Sequence, residues 1–354
     1  MGEGVRPQPL RIVSMGGGTG LATLLRGLKR YIQASPGALE ITAVVTVTDD
    51  GGSSGRLRRD FDVLPPGDIR NCMVALCRDE ALLSQLFNYR FTGGRGLKGH
   101  SFGNLFLMAM THLTGDFAHA VKLSSEVLAV RGRIYPSTAA NVRLKATLAG
   151  GQKVSGETRI SRSIRPIQRV ELSPRRARPL KETLDAIAEA DLITLGPGSL
   201  YTSVIPHLLV EGIPQAIAAS PAVKVYFANL MTQPGETTDM EGASDHLAAL
   251  LRHGLRHGPG QGGRPGSRLI DVCVVNTGPI LRKTLEQYRA REARPVENDV
   301  KKIEATGVKV VATDLVRLAG RRIQEKIRHD PGAISAVAID LAQQGRRAKE
   351  RLAS

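Results

Sequence analysis

The sequence predicts an α/β protein: a mostly parallel sheet carrying a helical insertion over about 79–130 and a small β excursion over about 141–172. Three observations lead there. An apolar run at residues 10–15 passes through GGGTG at 16–20 into leucines at helical spacing from Leu21, which reads as strand, glycine turn, helix. Residues 41–48 are β-branched and apolar nearly throughout, as an inner parallel strand covered on both faces requires. The same kind of turn returns at 191–203, where DLITL leads into GPGSLYTS.

The first unit is therefore βαβ, with a right-handed crossover. Beyond it, Leu82, Leu83 and Leu86, then Leu105, Leu107, Met108, Met110 and Leu113, set a helical period that a glycine-rich loop interrupts at about 92–99. They predict a helical lobe or lid. Alternation at 142–148 and near 158–160, around Gly150 and Gly151, predicts a hairpin or meander. Between Arg159 and Lys181 eight basic residues accompany one acid, Glu171; the stretch reads first as a solvated edge and second as a phosphate-facing strip.

Parallel logic then resumes, with a helix at 184–190, a strand at 191–195 and a helix at 202–209. Strands are expected at 215–219, 226–231, 270–275 and 308–312, with a Gly/Pro-rich loop at 257–267. A helix at 333–352, basic at its end, closes the order. No repeat or long linker divides the chain, so residues 1–330 are expected as one domain and 331–354 as a C-terminal basic helix.

Composition narrows the partners. A formal net charge of +16 favours phosphate-bearing metabolites, nucleic acid or an anionic membrane surface. Aromatics are only 4% of residues, Trp is absent and no RNP or helix-turn-helix signature stands out, so specific nucleic-acid binding is not expected. No apolar run reaches the roughly 18–20 residues of a membrane span. Cys72, Cys77 and Cys273 lack zinc spacing and read as core residues of a protein in the reducing cytosol.

The candidate chemistry sits in turns. Gly17, Gly18, Thr19 and Gly20 bring backbone N–H groups and a helix start together, which suits a diphosphate; a merely tight strand-to-helix turn suits them equally. GGGTG is no Walker A loop, and its third glycine comes one residue early for the dinucleotide fingerprint. TDDGGSSGR at 48–56 ends the second strand candidate, at the sheet edge where ligands bind. Adjacent carboxylates on an extended strand point opposite ways, so Asp50 is expected to turn inward while Asp49 serves the turn. Gly51, Gly52, Ser53, Ser54 and Arg56 would complete a polar cradle, with a plain Asp-Gly turn as the alternative.

LPPGDIRNC at 64–72 presents Asp68, Arg70 and Asn71, and Asp68 suits either a magnesium ligand or a helix cap. GHSFGN at 99–104 offers His100 and Asn104 as part of a lid or as structure. Gly196, Gly198 and Ser199 form the second glycine turn, and Asn229 heads the polar loop NLMTQPGET. No G-x-S-x-G elbow supports a serine triad.

In this order, GGGTG, TDDGGSSGRLR, LPPGDIRNC, GHSFGNL, GPGSLYTS and NLMTQPGET resemble the gluconeogenesis factor family (YvcK-type), related to the phospholactate transferase of deazaflavin cofactor biosynthesis, over roughly residues 10–330. The resemblance implies a Rossmann-like three-layer, CofD-like fold. It also implies binding of UDP-sugars such as UDP-N-acetylglucosamine, and a role in cell shape, peptidoglycan supply and growth on gluconeogenic carbon sources. It sets residues 17–20 and 50–56 at the nucleotide or its diphosphate, with 196–199 closing the far side. Tyr288 would stack on uracil and Arg328 pair with phosphate. The transferase relatives use aspartates for magnesium, to which Asp50 and Asp68 correspond. An envelope-synthesis protein as partner and a homo-oligomer are expected with it. Two functions follow: a regulatory UDP-sugar binder, or a magnesium-dependent transferase of a phosphate-linked group.

Overall fold

The computed structural model describes residues 8–78, 81–255, 268–316 and 327–353; the loop expected at 257–267 lies outside the described residues. In chain order the strands are β1 (Leu10–Gly16), β2 (Leu39–Val45), β3 (Arg133–Pro136), β4 (Arg143–Leu148), β5 (Lys153–Ser155), β6 (Ile167–Ser173), β7 (Leu192–Leu195), β8 (Val223–Phe227), β9 (Val272–Asn276) and β10 (Lys309–Thr313). The helices are α1 (Gly18–Ala34), α2 (Gly52–Phe61), α3 (Gly67–Leu76), α4 (Ala81–Asn88), α5 (Phe102–Thr114), α6 (Phe117–Val127), α7 (Glu157–Ile160), α8 (Lys181–Glu189), α9 (Ile205–Leu208), α10 (Ile213–Ala219), α11 (Ala243–Leu255), α12 (Arg282–Arg289), α13 (Val300–Glu304) and α14 (Pro331–Ala353).

Seven strands form one sheet in the order β10-β9-β8-β7-β1-β2-β3, and every neighbouring pair is parallel. The chain therefore builds outward in two directions from its centre, β1 to β3 one way and β7 to β10 the other. β1 and β7 are the adjacent pair at which the order reverses, with Met15 opposite Leu195. In an open α/β sheet, loops diverge from such a point and leave a crevice for a ligand.

Both central strands are buried because neither face meets water: α1 packs on α3 and α14, while α8 packs on α10 and α11 on α9 and α13. The result is the expected three-layer α/β architecture. β5, β4 and β6 form a separate antiparallel sheet, and β4 alternates exposed Arg143 and Lys145 with buried Leu144, Ala146 and Leu148. The basic stretch after it is largely an edge: Arg169 and Arg175 on and beyond β6 pair with Glu171.

Local readings differ in several places, the strand expected at 226–231 among them, since β8 spans Val223–Phe227. Residues 215–219, expected as a strand, belong to α10. Gly212 takes φ 94°, Pro214 sits in the first turn where its missing N–H costs nothing, and Ile213 and Ile217 share one buried face. Residues 158–160, expected in a strand, fall in the single turn α7. The run expected as a polar cradle after Asp50 is in large part a helix, α2, because Gly51 and Gly52 open it and its buried face takes Ser53, Ser54 and Leu57.

α14 is clamped to the base of the sheet. The buried Asp191 carboxylate accepts hydrogen bonds from Arg346 Nη2 at 2.5 Å, Lys349 Nζ at 3.1 Å and Arg11 N at 2.9 Å. Burial alone would raise this carboxyl; the bonds from Arg346, Arg11 and Lys349 outweigh it and hold it below 3.8. None of the three buried cysteines is in a disulfide. No helix among the described residues is long and apolar enough to cross a membrane.

The clamp has a measurable signature. Arg346→Ala is expected to cost about 2 kcal/mol in urea unfolding at pH 7, less than a fully buried pair because Arg346 is partly solvated. A carboxyl depressed on folding contributes fully above its ordinary value of 3.8 and loses that contribution as pH falls through its lower folded value, so the deficit should already be smaller at pH 3 than at pH 7. A deficit that persists undiminished at pH 3 would remove the ion pair as its cause.

Candidate functional site

β1 and β7 leave the sheet side by side, so the glycine turns that follow them meet. The contact is tight: a Cβ on Gly20 would stand 2.3 Å from the Pro197 carbonyl oxygen, and 2.9 Å from the Gly198 Cα. Gly18 takes φ 54°, a left-handed conformation that favours glycine, and turns the chain into α1. Beneath them His207 Nε2 donates to Gly16 O at 3.1 Å. Burial lowers this imidazole to about 4, so it stays neutral and acts as a prop under the turn.

A cleft of about 680 Å³ opens above this contact, within the usual size of small-molecule sites. Of the residues singled out from the sequence, Gly17, Gly18, Thr19, Gly20, Asp68, Gly198, Ser199, Asn229, Tyr288 and Arg328 line it. So do Glu157, Ser161, Gln233, Glu236, Arg291 and His329, which motif reading did not assign to the site. The loop after β8 braces the second turn: Asn229 Nδ2 donates to Gly198 O at 3.0 Å, and Gln233 Nε2 to Ser199 Oγ at 2.9 Å. Glu236 accepts from Tyr201 N at 3.2 Å, Thr202 Oγ1 at 3.1 Å and Ser161 Oγ at 3.2 Å, joining that turn to the β excursion. The Tyr288 hydroxyl accepts from Ile327 N at 2.9 Å, fixing α12 against the segment that carries Arg328.

The remaining candidates lie elsewhere. Asp50 faces the β excursion, where its Oδ1 accepts from Thr158 N at 2.9 Å and Thr158 Oγ1 at 2.8 Å. It thereby positions α7, whose Glu157 reaches the cleft. Asp49 serves the turn as expected, accepting from Gly51 N at 2.8 Å, and burial pushes its carboxyl upward. Gly52 opens α2, and Gly196 donates its N–H to Met15 O at the rim of the sheet.

Ser53, Ser54, His100 and Asn104 form a buried polar cluster that ties α2 to the start of α5. Ser53 Oγ lies 2.9 Å from His100 Nδ1, and Ser54 Oγ accepts from Gly67 N at 3.2 Å and from Asn104 Nδ2 at 3.5 Å. Arg56 donates to Lys98 O at 2.9 Å, and Asn71 Oδ1 accepts from Arg70 Nη2 at 2.7 Å. These groups anchor the helical insertion and do not line the cleft.

The cleft is electrostatically divided. Asp68 stands against the glycine turn, accepting from Gly18 N; burial first, then Asp49, raises its carboxyl to about 7. Glu157 is pushed well above its ordinary value by burial, then by Asp68 and Asp49, and burial also raises Glu236. Arg291 and Arg328, which also line the cleft, supply positive charge.

Asp68 lines the cleft, whereas Asp50, expected beside it at magnesium, is held by Thr158 outside the lining. Among the described residues no group of three or more His, Cys, Asp or Glu is placed to hold a metal ion. Magnesium, however, needs only one or two carboxylates when phosphate and water complete its shell, and Asp68, short of counter-charge beside the glycine amides, fits that demand. Bound there, the ion would neutralise phosphate charge.

Two substitutions test this geometry. Asp68→Asn removes a carboxyl that binds its proton up to about 7 when folded and to 3.8 otherwise, so its cost to stability grows as pH rises through that window. The variant is expected to be more stable than the parent by about 1–2 kcal/mol at pH 8 and equal to it at pH 3; equal urea midpoints at pH 8 would refute the raised carboxyl. Gly20→Ala must separate the two turns and should cost about 3 kcal/mol in the same assay.

Comparison with known proteins identifies the family. The family model for CofD, 2-phospho-L-lactate transferase, matches residues 12–316. The gluconeogenesis factor of Bacillus subtilis (strain 168) is 45% identical over 337 residues, spanning 95% of this chain and 99% of the relative. The gluconeogenesis factor of Halalkalibacterium halodurans is 44% identical over 329 residues, spanning 93% and 95%. A crystal structure of a Bacillus halodurans protein of the UPF0052 family superposes with a TM-score of 0.84 at 44% identity, covering 94% of this chain and 99% of that one. A family match over residues 12–316 and relatives above 40% identity covered almost end to end leave one assignment: the chain belongs to the CofD family, in its gluconeogenesis factor branch.

Proposed function

We propose that the chain is a regulatory nucleotide-sugar binder, taking a UDP-sugar of the UDP-N-acetylglucosamine type in the cleft between β1 and β7. The convergence of two glycine turns at the switch point of the sheet carries this reading. Their backbone N–H groups and the start of α1 suit a diphosphate, and Arg291 and Arg328 add the charge a phosphate needs. The relatives' name, gluconeogenesis factor, supports a role in growth on gluconeogenic carbon sources, and an envelope-precursor sugar would link that to cell shape. The signal would pass to an envelope-synthesis protein.

A second reading is a magnesium-dependent transferase of a phosphate-linked group. It is favoured by the transferase name of the matching family and by Asp68 and Glu157, carboxyls that share the cleft wall with elevated proton affinity. Asp68 would accept the proton of an attacking hydroxyl or hold magnesium against the phosphate.

Calorimetric titration with UDP-N-acetylglucosamine, with and without magnesium, decides the first reading. Saturable binding is expected, weakened about tenfold by Arg328→Ala; a folded protein that gives no saturable heat sinks it. Turnover of the bound ligand that disappears in Asp68→Asn would favour the transferase instead.

A further inference from the structure

One strand further along the same rim, a side pocket of about 240 Å³ opens between the ends of β8 and β9. Asn229 and Leu230 line both it and the main cleft, so the two are neighbours across a single stretch of chain. Their chemistry differs. The cleft carries Asp68, Glu157, Glu236, Arg291 and Arg328, whereas no ionisable side chain among the described residues lines the side pocket. Leu230, Ile280, Leu285 and Val296 give it apolar walls, and Val296 N donates to Leu230 O at 3.2 Å to hold two of them together.

Its amides are not equivalent. Asn276 is spent on its own turn: Oδ1 accepts from Gly278 N at 3.0 Å and Leu315 N at 2.9 Å, while Nδ2 donates to Gly278 O at 2.9 Å. Asn229 is drawn toward Gly198 O. Asn298 is exposed at the pocket and donates through Nδ2 to Asn276 O, which anchors one end of its amide. An amide anchored in this way presents a carbonyl and a second N–H side by side.

We propose that this side pocket takes the nucleobase of the ligand and that Asn298 reads the base edge, a proposal that rests on the nucleotide-sugar reading above. A flat heterocycle needs apolar surfaces for its faces and a paired donor and acceptor for its edge, and it carries no charge; the side pocket offers this combination free of charged neighbours among the described residues, whereas the cleft sets Tyr288 and Met231 among Asp68, Glu157, Glu236, Arg291 and Arg328. The adjacent N–H and C=O of uracil match the Asn298 amide, while the diphosphate stays in the cleft against the glycine turns.

Competition titrations with UDP, CDP and inorganic pyrophosphate on the full chain test it. The parent protein should prefer UDP to CDP by roughly tenfold, and Asn298→Ala should erase that preference without changing pyrophosphate affinity. Leu285→Trp, which fills the pocket from the half-buried face of α12, should weaken UDP at least about tenfold and spare pyrophosphate. A preference that survives Asn298→Ala, or UDP affinity that survives Leu285→Trp, overturns the base pocket while UDP-N-acetylglucosamine binding stands. Failure of the parent to bind UDP-N-acetylglucosamine or pyrophosphate overturns both readings together.

Discussion

The approach of Gly20 to the Pro197 carbonyl is the constraint from which the rest of the rim follows. It exists because β1 and β7, though far apart in sequence, are adjacent in the sheet, and because neither turn carries a side chain that would hold the backbones apart. The main-chain N–H groups of two different βα units can then face one volume. His207 below and the loop from Asn229 to Glu236 beside them keep this arrangement fixed, so the cleft is preorganised and does not depend on a ligand to assemble it.

Around that contact the protein gathers carboxyls under conditions that oppose their ionisation. Asp68, Glu157 and Glu236 reach the cleft from three parts of the chain, and Asp68 adds to the burial that raises the proton affinity of Glu157. Such crowding is unfavourable for folding and is commonly concentrated where charge is to be met by a ligand or an ion. Asp50 takes part at one remove. By capping the turn at Thr158 it brings the β excursion to the rim, so the excursion supplies Glu157 and Ser161 to the cleft wall.

The helical insertion has a different relation to the site. Its polar cluster, from Ser53 and Ser54 through His100 to Asn104, is satisfied largely within itself and joins α2, α3 and α5. The motif GHSFGN, which the sequence left open between a lid and a structural role, acts in this structure as a joint. Ser101 caps α5 through Asn104 N and also receives a hydrogen bond from Arg70 at 2.7 Å, so one short segment holds two helices.

Periodicity and glycine placement were enough to establish the α/β class, both glycine turns and the antiparallel excursion, because these features are local: an apolar run, a turn residue and a helical repeat lie next to each other along the chain. The glycines, Asn229 and Asp68 were legible for the same reason, whereas Tyr288 and Arg328 were indicated only by the family resemblance. The direction of Asp50, the helix at 213–219 and the arrival of Glu157 and Glu236 at the cleft were not legible. Alternation assigns a carboxylate to one face of a strand, but Thr158, more than a hundred residues away, decides which way Asp50 turns. Five residues such as QAIAA satisfy strand and helix alike until Gly212 and the packing of α10 on α8 choose. Local chemistry determined which turns this protein has; only the order of strands in the sheet decided that two of them share one crevice, because adjacency across the sheet is set by packing and leaves no mark in neighbouring residues.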